Sequence, residues 1–427
     1  MQLPLQLLIA LLFALGATPI NLLAGDLSAQ EQAIAQWITG HVDETLTDLE
    51  ILLAIDSPTE NHAGQREAGE FFNSRFRSIG FDTQWMDMTE STGRAGHFQA
   101  EMSGNSGKRI LLLGHLDTVL PATVVRRDGN KLFGSGAGDM KGGDMVVLFA
   151  LQALYHAGAL EERRIIVHFT GDEESVGRPI KIARAPMEEA ARRSDAVLSF
   201  EGGRANTAVV ARRSSSSWRL VVESRSGHSS RVFSEDLGYG AIYEVARILN
   251  AFREHLKGEK YLTFNASMIA GGTTAEMQKS KASSWGKSNI IPAIAYARGD
   301  LRVLSLEQRD RAKSNMSSIV NSFNLPHTNA SIEYSDSYPP MSPTPENYEL
   351  LAQLSQVSED LDYGIVEAFD PGSRGAGDIS FVAPLLPGLD GLGVRGHKAH
   401  AQGEYLEIDS IVRQTQRAAL LIYRLTR

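Results

Sequence analysis

Three short apolar runs divide the first half of the chain, and each is followed by histidine or acidic residues. Short continuous apolar runs are typical of parallel strands that are covered on both faces. In open α/β sheets, ligands bind just beyond the carboxyl ends of such strands, so the pattern predicts a site at that edge. The runs are residues 109–114 before His115 and Asp117, residues 164–170 before Asp172, Glu173 and Glu174, and residues 195–200 before Glu201.

Between and around these runs, apolar residues recur with helical spacing. A helix over residues 144–156 would separate the first two strands, as expected of a βαβ unit. The sequence therefore predicts an α/β domain with a mostly parallel sheet and flanking helices. The predicted helices cover residues 30–55, 66–79, 144–156, 347–361 and 408–425.

A different order of elements begins at about residue 213. The predicted order is β-α-β-β-α-β, which is the ferredoxin-like pattern. We therefore expect an inserted α+β domain over residues 213–338, with the first domain divided into residues 26–212 and 339–427. The predicted elements are strand 217–223, helix 241–256, strands 261–269 and 291–303, helix 306–323 and strand 330–338.

The amino end has the composition of a targeting segment. Residues 1–25 carry no charged side chain, and the apolar run 3–17 ends in small residues, with Ala14-Leu15-Gly16 as one candidate cleavage signal. This predicts export, to the periplasm or out of the cell. No Lys or Arg precedes the run, and the uncharged stretch is long, so an uncleaved membrane anchor and a buried helix remain alternatives.

Composition and charge narrow the classes of function. The 427 residues are 42% hydrophobic, enough for a sizeable core in two or three domains. The net charge is −9 and the chain has no long basic run, so we expect no nucleic-acid partner. Because the chain has no cysteine, any metal ion must be held by histidine and carboxylate side chains.

Asp139 is the most distinctive of the candidate ligands. It lies among glycines in the segment GSGAGDMKGG, just before a predicted helix. A carboxylate placed in this way can reach two metal ions, and it can equally cap the helix. Glu173 and Glu174 are adjacent, and on an extended segment their side chains would point in opposite directions. One could then bind metal while the other transfers protons; the alternative is a solvated acidic loop.

In order and spacing, these motifs resemble the M20 family of co-catalytic dizinc peptidases, from about residue 49 to the carboxyl end. The resemblance implies a zinc-exopeptidase-type sheet and an inserted ferredoxin-like domain that serves as lid and dimer contact. It also implies that Asp117 supports a ligand and that Glu173 is the general base. Two zinc ions per subunit would be held by His115, Asp139, Glu174, Glu201 and His400.

Further residues take candidate functions from the same resemblance. His400 precedes a Glu-aromatic pair and is preferred to His397 as the last ligand. His228, in Ser226-Gly227-His228, would stabilise the oxyanion from the partner subunit, which implies a homodimer. Without the resemblance, His228 would be an ordinary turn residue and the remaining candidates ordinary surface residues. The candidates for substrate contact are Asn289, Arg302 and, as a carboxylate ligand, Arg374.

The resulting hypothesis is an exported exopeptidase in which metal-bound hydroxide attacks an amide carbonyl. It would release a C-terminal amino acid from a small N-acyl or peptide substrate. Glutamate is favoured because Glu201, the segment SNIIPA and the export signal resemble carboxypeptidase G-like members of the family. An aminoacylase or dipeptidase is the alternative within the family. A catalytically silent metal-binding module is the alternative of another class, although the intact Glu173 argues against it.

Overall fold

The computed structural model describes residues 27–427. The segment predicted as a signal peptide or anchor, residues 1–25, lies outside the described residues. Within the described part, no helix is long and apolar enough to cross a membrane. The α-helices are α1 Ala29–Gly40, α2 Val42–Ala54, α3 His62–Ser78, α4 Thr89–Thr92, α5 Lys141–His156, α6 Ile180–Arg192, α7 Ala241–Leu256, α8 Leu306–Ser322, α9 Pro345–Asp360, α10 Ile379–Val382 and α11 Ile408–Thr426.

The strands fall into two main sheets and smaller ones. Two short 3-10 helices, Ser229–Arg231 and Pro371–Ser373, lie in loops. The strands are β1 Asp82–Asp87, β2 Gly96–Ser103, β3 Ser106–His115, β4 Arg126–Asp128, β5 Lys131–Phe133, β6 Arg163–Thr170, β7 Ala196–Ser199, β8 Thr207–Ala208, β9 Ser215–Ser224, β10 Thr263–Gly272, β11 Thr274–Met277, β12 Ala282–Trp285, β13 Ile294–Arg302, β14 Thr328–Tyr338, β15 Glu367–Ala368, β16 Gly388–Leu389, β17 Gly396–His397 and β18 Tyr405–Glu407.

The larger sheet has six strands in the order β1-β2-β6-β3-β7-β16. Strands β6, β3, β7 and β16 pair in parallel, whereas β2 is antiparallel to β1 and β6. The three strands predicted from apolar runs are thus neighbours, with β3 in the middle. Because they are parallel, their carboxyl ends lie at the same edge of the sheet, and the α/β prediction is confirmed.

Both faces of this sheet are covered. In β3, Ile110 and Leu112 belong to the core beneath α1, α2, α3, α5 and α11, whereas Leu111 and Leu113 belong to a second core beneath α6 and α10. Alternate residues of a strand point to opposite faces, so a strand buried on both sides must be apolar throughout. This explains the continuous apolar run in the sequence.

The second sheet has the strand order β10-β13-β9-β14, and all its pairs are antiparallel. Together with α7 and α8, which supply Val245, Phe252 and Met316, it encloses a separate hydrophobic core around Trp218. Its elements follow the predicted β-α-β-β-α-β order. The domain boundaries at residues 213 and 338, and the use of this part as a lid or dimer contact, stay predictions.

One predicted helix was wrong. Residues 30–55 form two helices, α1 and α2, because the chain leaves helical geometry at His41, whose φ is −118° and ψ 19°. A capping box between Ser28 and Glu31 begins the first helix. The side chains on both sides of the break still pack into the same core, since the apolar spacing continues across it.

Candidate metal centre

The ends of the three central strands bring their polar residues together. His115 is the last residue of β3, Glu173 and Glu174 follow β6, and Glu201 follows β7. His115 pairs with Thr170 across the sheet, which places the acidic turn after β6 beside it. The strand arrangement therefore assembles one histidine and three carboxylates from distant parts of the chain.

Asp139 lies between two histidines. Its Oδ1 is 3.4 Å from Nε2 of His115, and its Oδ2 is 3.1 Å from Nε2 of His400. Two ligand groups share this carboxylate: one is His115, Asp139 and Glu201, and the other is Asp139, Glu174 and His400. Within each group the ligand atoms lie within 4.8 Å of one another. Asp139 does not cap α5, which has Met140 at its N-cap without a side-chain hydrogen bond.

The loop that carries Asp139 is held by a residue that the sequence analysis gave no function. The carboxylate of Glu404 accepts hydrogen bonds from the backbone N–H groups of Gly136, Gly138 and Asp139, at 2.9, 2.9 and 3.0 Å. Strands β5 and β18 pair beside this contact, so the Asp139 loop and the segment after His400 lie side by side. In the sequence, Glu404 is the acidic member of the Glu-aromatic pair after His400, a pair that served only to identify His400 as a ligand.

Asp117 supports two parts of the centre at once. Its backbone carbonyl is 2.9 Å from Nδ1 of His115, and its Oδ1 is 3.3 Å from the same nitrogen. Its carboxylate also accepts the backbone N–H groups of Glu173 and Glu174, both at 3.0 Å, and the hydroxyl of Thr59 at 2.6 Å. Asp117 therefore orients the imidazole and fixes the turn that carries both glutamates.

The expectation that Glu173 and Glu174 point in opposite directions was wrong. Both offer a carboxylate oxygen within 4.8 Å of a ring nitrogen of His115 and of each other. The chain is a turn here and not an extended segment, because Asp117 binds both N–H groups. The two carboxylates therefore converge on the same space, with Glu174 additionally 3.1 Å from Nε2 of His400.

A buried ion network lies beneath the acidic turn. The fully buried guanidinium of Arg184 binds Asp172 and, at 2.9 Å, Asp378. Thr170 donates to the other oxygen of Asp378 at 2.6 Å, and Gly177 donates its N–H to Asp172 at 2.8 Å. The network ties the acidic turn to the glycine-rich turn before Asp378. Nothing in the pattern around Arg184 marked it in the sequence.

Burial and crowding of charge shift the pKa values of the centre. Burial, with the charge of Asp139 adding to it, raises the pKa of Glu201 to about 7. Burial and the charge of Glu201 raise the pKa of Glu173 well above its usual range. Hydrogen bonds to Asp139 and Glu174 raise the pKa of His400 to about 10. Burial together with neighbouring carboxylates raises the pKa values of Glu173 and Glu201, and the two acidic partners of His400 raise its pKa; bound cations would displace these protons.

The donor set suits two divalent metal ions. Histidine with carboxylate favours zinc over magnesium, which prefers oxygen ligands alone. Asp139, Glu174 and Glu201 would oppose four positive charges with three negative ones. The net charge of about +1 leaves the centre electrophilic. The residues present therefore fit the dinuclear metal site that the resemblance implies.

Other candidate residues lie outside the cluster. His397 binds Glu407 at 2.8 Å and stacks on Tyr405, so it is not among the grouped ligands. His228 and Asn289 are neighbours on exposed loops: Ser229 donates its N–H to the carbonyl of Asn289 at 2.9 Å. Within residues 27–427, no hydrogen bond or ion pair joins either side chain to the cluster. Their function, in either subunit, stays a prediction.

The two remaining arginines differ in environment. Arg302, at the end of β13, pairs with Asp300 at 3.0 Å and has no described contact with the cluster. Arg374 lies close to it, donating from Nη2 to the carbonyl of Gly202 at 2.9 Å. Its Nε is buried without a hydrogen-bond partner, and no carboxylate of the described residues forms an ion pair with it. Burial and the nearby charge of Arg212 lower the pKa of Arg374.

The α/β fold and the clustered histidine and carboxylate ligands are those of a metallohydrolase. A sequence model described as "Peptidase family M20/M25/M40" matches residues 111–424, most of the chain. The chain therefore belongs to this peptidase family.

Individual relatives are distant but cover nearly the whole chain. Carboxypeptidase G2 of Pseudomonas sp. (strain RS-16) is 26% identical over 93% of this chain and 94% of its own length. A succinyl-diaminopimelate desuccinylase of Gluconacetobacter diazotrophicus is 24% identical over 82% of this chain and 89% of its own. The structure of the aminopeptidase PepT from Bacillus cereus superimposes with a TM-score of 0.73 at 16% identity, covering 90% of this chain and 98% of that one.

Proposed function

We propose that the chain is a zinc-dependent exopeptidase that hydrolyses the amide bond to a C-terminal amino acid, with glutamate as the preferred residue. The carrying observation is Asp139, whose two oxygens face the two histidines of adjoining ligand groups. The similarity to carboxypeptidase G2 over 93% of the chain supports this direction of cleavage.

Each of the two ligand groups would bind one metal ion. His115, Asp139 and Glu201 would hold one ion, and Asp139, Glu174 and His400 the other. When bound, the pair of ions polarises a substrate carbonyl and lowers the pKa of a water molecule towards 7. The chain's own residues keep the ligands in place through Asp117 and Glu404, as described above.

Glu173 is the proposed general base. It lies beside both ligand groups, yet Glu174 and not Glu173 contacts His400. Its carboxylate would take a proton from the attacking water and deliver it to the leaving nitrogen. Its buried surroundings raise the pKa of Glu173. A raised pKa suits a general base, which must accept a proton and return it near neutral pH.

Arg374 is the proposed ligand for the α-carboxylate of the released amino acid. The partly buried guanidinium of Arg374 forms no ion pair within residues 27–427, and a substrate carboxylate would supply a direct charged partner. In the described part of the chain, its buried Nε has no hydrogen-bond partner, and its Nη2 donates to the carbonyl of Gly202, the residue after Glu201. This places a cation next to the metal centre, where it suits a substrate with a free C-terminal carboxylate.

His228 and Asn289 are adjacent and exposed, which leaves them accessible to a second copy of the chain. We propose that His228 completes the partner subunit's active site as an oxyanion ligand. Mixing two inactive variants, Glu173→Gln and His228→Ala, tests this. Hybrid dimers would regain activity, because one of their two sites has both residues. No recovery, with hybrid formation verified, would contradict action between subunits.

The decisive assay measures release of free amino acids by zinc-loaded protein. The panel would contain N-acyl and peptidyl glutamates, N-acetyl and N-succinyl amino acids, and plain dipeptides. We expect glutamate release, reduced about 10²- to 10⁴-fold in kcat in Glu173→Gln with both metals bound. Glu90→Gln, at an exposed site, is the matched control and should retain full activity.

The outcomes separate the alternatives. Selective hydrolysis of N-acetyl or N-succinyl substrates without preference for glutamate would indicate an aminoacylase-type or desuccinylase-type activity. Equal activity of Glu173→Gln and wild type would refute the general base. Replacement of Arg374 by Met should raise KM about ten- to a hundred-fold for free carboxylates, the size of a lost charged hydrogen bond, and not for the corresponding carboxamides.

A further inference from the structure

The chain crosses twice between the six-stranded and the four-stranded sheet. It leaves through the segment before β9 and returns through the segment after β14. The two crossings pair with each other: Arg212 and Met341 exchange backbone hydrogen bonds of 2.9 and 3.0 Å. The four-stranded sheet is therefore joined to the metal-bearing sheet through one short paired segment.

The outgoing crossing carries a buried guanidinium that contacts the centre. Arg212 binds Asp390 through Nε and the carbonyls of Gly375 and Ala376 through Nη1. Its Nη2 has no hydrogen-bond partner among residues 27–427 and lies 3.9 Å from Oε2 of Glu201. One side chain thus connects the crossing, the glycine-rich turn and a proposed metal ligand.

A second side chain that contacts the centre lies at the end of β14, where the returning crossing begins. Tyr338 is the last residue of β14, and its hydroxyl donates to the backbone carbonyl of Glu173 at 2.5 Å. Its ring packs against Phe381, with centroids 5.0 Å apart. The end of the four-stranded sheet therefore holds the backbone of the proposed general base directly.

We propose that Arg212 and Tyr338 are positioning residues through which the placement of the four-stranded sheet sets the geometry of Glu201 and Glu173. The inference rests on the proposed function of these two glutamates. Arg212 acts on the ligand side and Tyr338 on the base side. Replacing them should therefore affect different quantities: metal affinity for Arg212, and turnover at unchanged metal affinity for Tyr338.

The test uses full-length Tyr338→Phe, Arg212→Met and Arg212→Lys. Tyr334→Phe is the matched control, because it removes a hydroxyl from the same strand whose hydrogen bonds go to Ser317 and Lys313. In Arg212→Met, we expect zinc affinity to fall about 10- to 100-fold, as when a partner of a metal ligand is removed. Arg212→Lys should recover part of the zinc affinity, because lysine keeps the positive charge. The recovery should be incomplete, because lysine lacks the planar guanidinium group.

For Tyr338→Phe, we expect two changes that Tyr334→Phe does not show. Backbone amides of residues 171–176 should exchange hydrogen faster at unchanged zinc affinity, because the turn loses its hydroxyl contact. On a substrate that the wild type hydrolyses, kcat should fall roughly ten- to a hundred-fold with little change in KM, as when a catalytic group is misplaced. A rise in KM with unchanged kcat would contradict the inference.

Zinc affinity and hydrogen exchange need no substrate, so the inference can fail or hold apart from the proposed function. If Arg212→Met binds zinc like wild type, and Tyr338→Phe exchanges at residues 171–176 like Tyr334→Phe, the positioning is refuted. If these two readouts change as expected but the wild type hydrolyses no panel member, the proposed function fails and the structural link between crossing and centre stands.

Discussion

Glu404 offers a test of how the Asp139 loop is held. Its two oxygens accept three backbone N–H groups, two at Oε1 and one at Oε2. In Glu404→Gln, the amide oxygen can keep the two bonds of Oε1, but the amide nitrogen then faces the N–H of Gly136. One bond is lost and one buried donor is left unpaired, which costs about 1–3 kcal/mol of unfolding free energy.

The same change should loosen Asp139, the proposed bridging ligand. Because the N–H of Asp139 is among the three donors, we expect zinc affinity to fall about 10- to 100-fold. Urea denaturation of chelator-treated protein measures the stability, and competition with a chromophoric chelator measures zinc affinity. Glu407→Gln is the control, since Glu407 lies three residues further on and, among the residues that the structure describes, its side chain binds Arg395 and His397 only.

A part-exposed ion pair such as that of Glu407 contributes about 0–1 kcal/mol. Glu407→Gln should therefore remain close to wild type in stability and bind zinc normally. If the two variants were equal in both measurements, the three hydrogen bonds of Glu404 would have no part in holding the Asp139 loop, and the reasoning would be refuted.

Two further changes test the core beneath the site. Arg184→Met should lower the unfolding free energy by about 3–5 kcal/mol in urea denaturation, because Asp172 and Asp378 lose their buried partner; a loss below about 1 kcal/mol would contradict the network. His168 is buried, and burial lowers its pKa well below 6.5, so the unfolded chain binds the extra proton. The contribution of neutral His168 to the free energy of unfolding is complete above pH 6.5. It is lost as the pH falls below that value, by up to about 1.4 kcal/mol per pH unit. In His168→Phe this dependence between pH 7 and 5 should be weaker; an unchanged slope would show that His168 is not kept neutral.

The central strands could be predicted from the sequence because burial on both faces leaves an unmistakable apolar run, as at Ile110 to Leu113. The ligands could be placed at one edge because parallel strands end together. The contacts of Glu404 and Arg212 could not be predicted in this way. Their partners include backbone N–H groups and carbonyls far along the chain, which any residue type provides and no pattern marks.

Two predictions failed for local reasons. The directions of Glu173 and Glu174 depend on a turn that Asp117, more than fifty residues away, imposes through their N–H groups. The break between α1 and α2 leaves the apolar spacing intact, so periodicity alone could not find it. In both cases the missing information was a backbone conformation decided by tertiary contacts rather than by residue type.

The most direct test of the two-metal centre is anomalous diffraction at the zinc edge from crystals grown with zinc. The account predicts two peaks per subunit, roughly 3.5–4 Å apart, on either side of the Asp139 carboxylate. One should contact His115 and Glu201, and the other Glu174 and His400. A single peak, or peaks that Asp139 does not separate, would contradict the bridged centre on which the proposed hydrolysis depends.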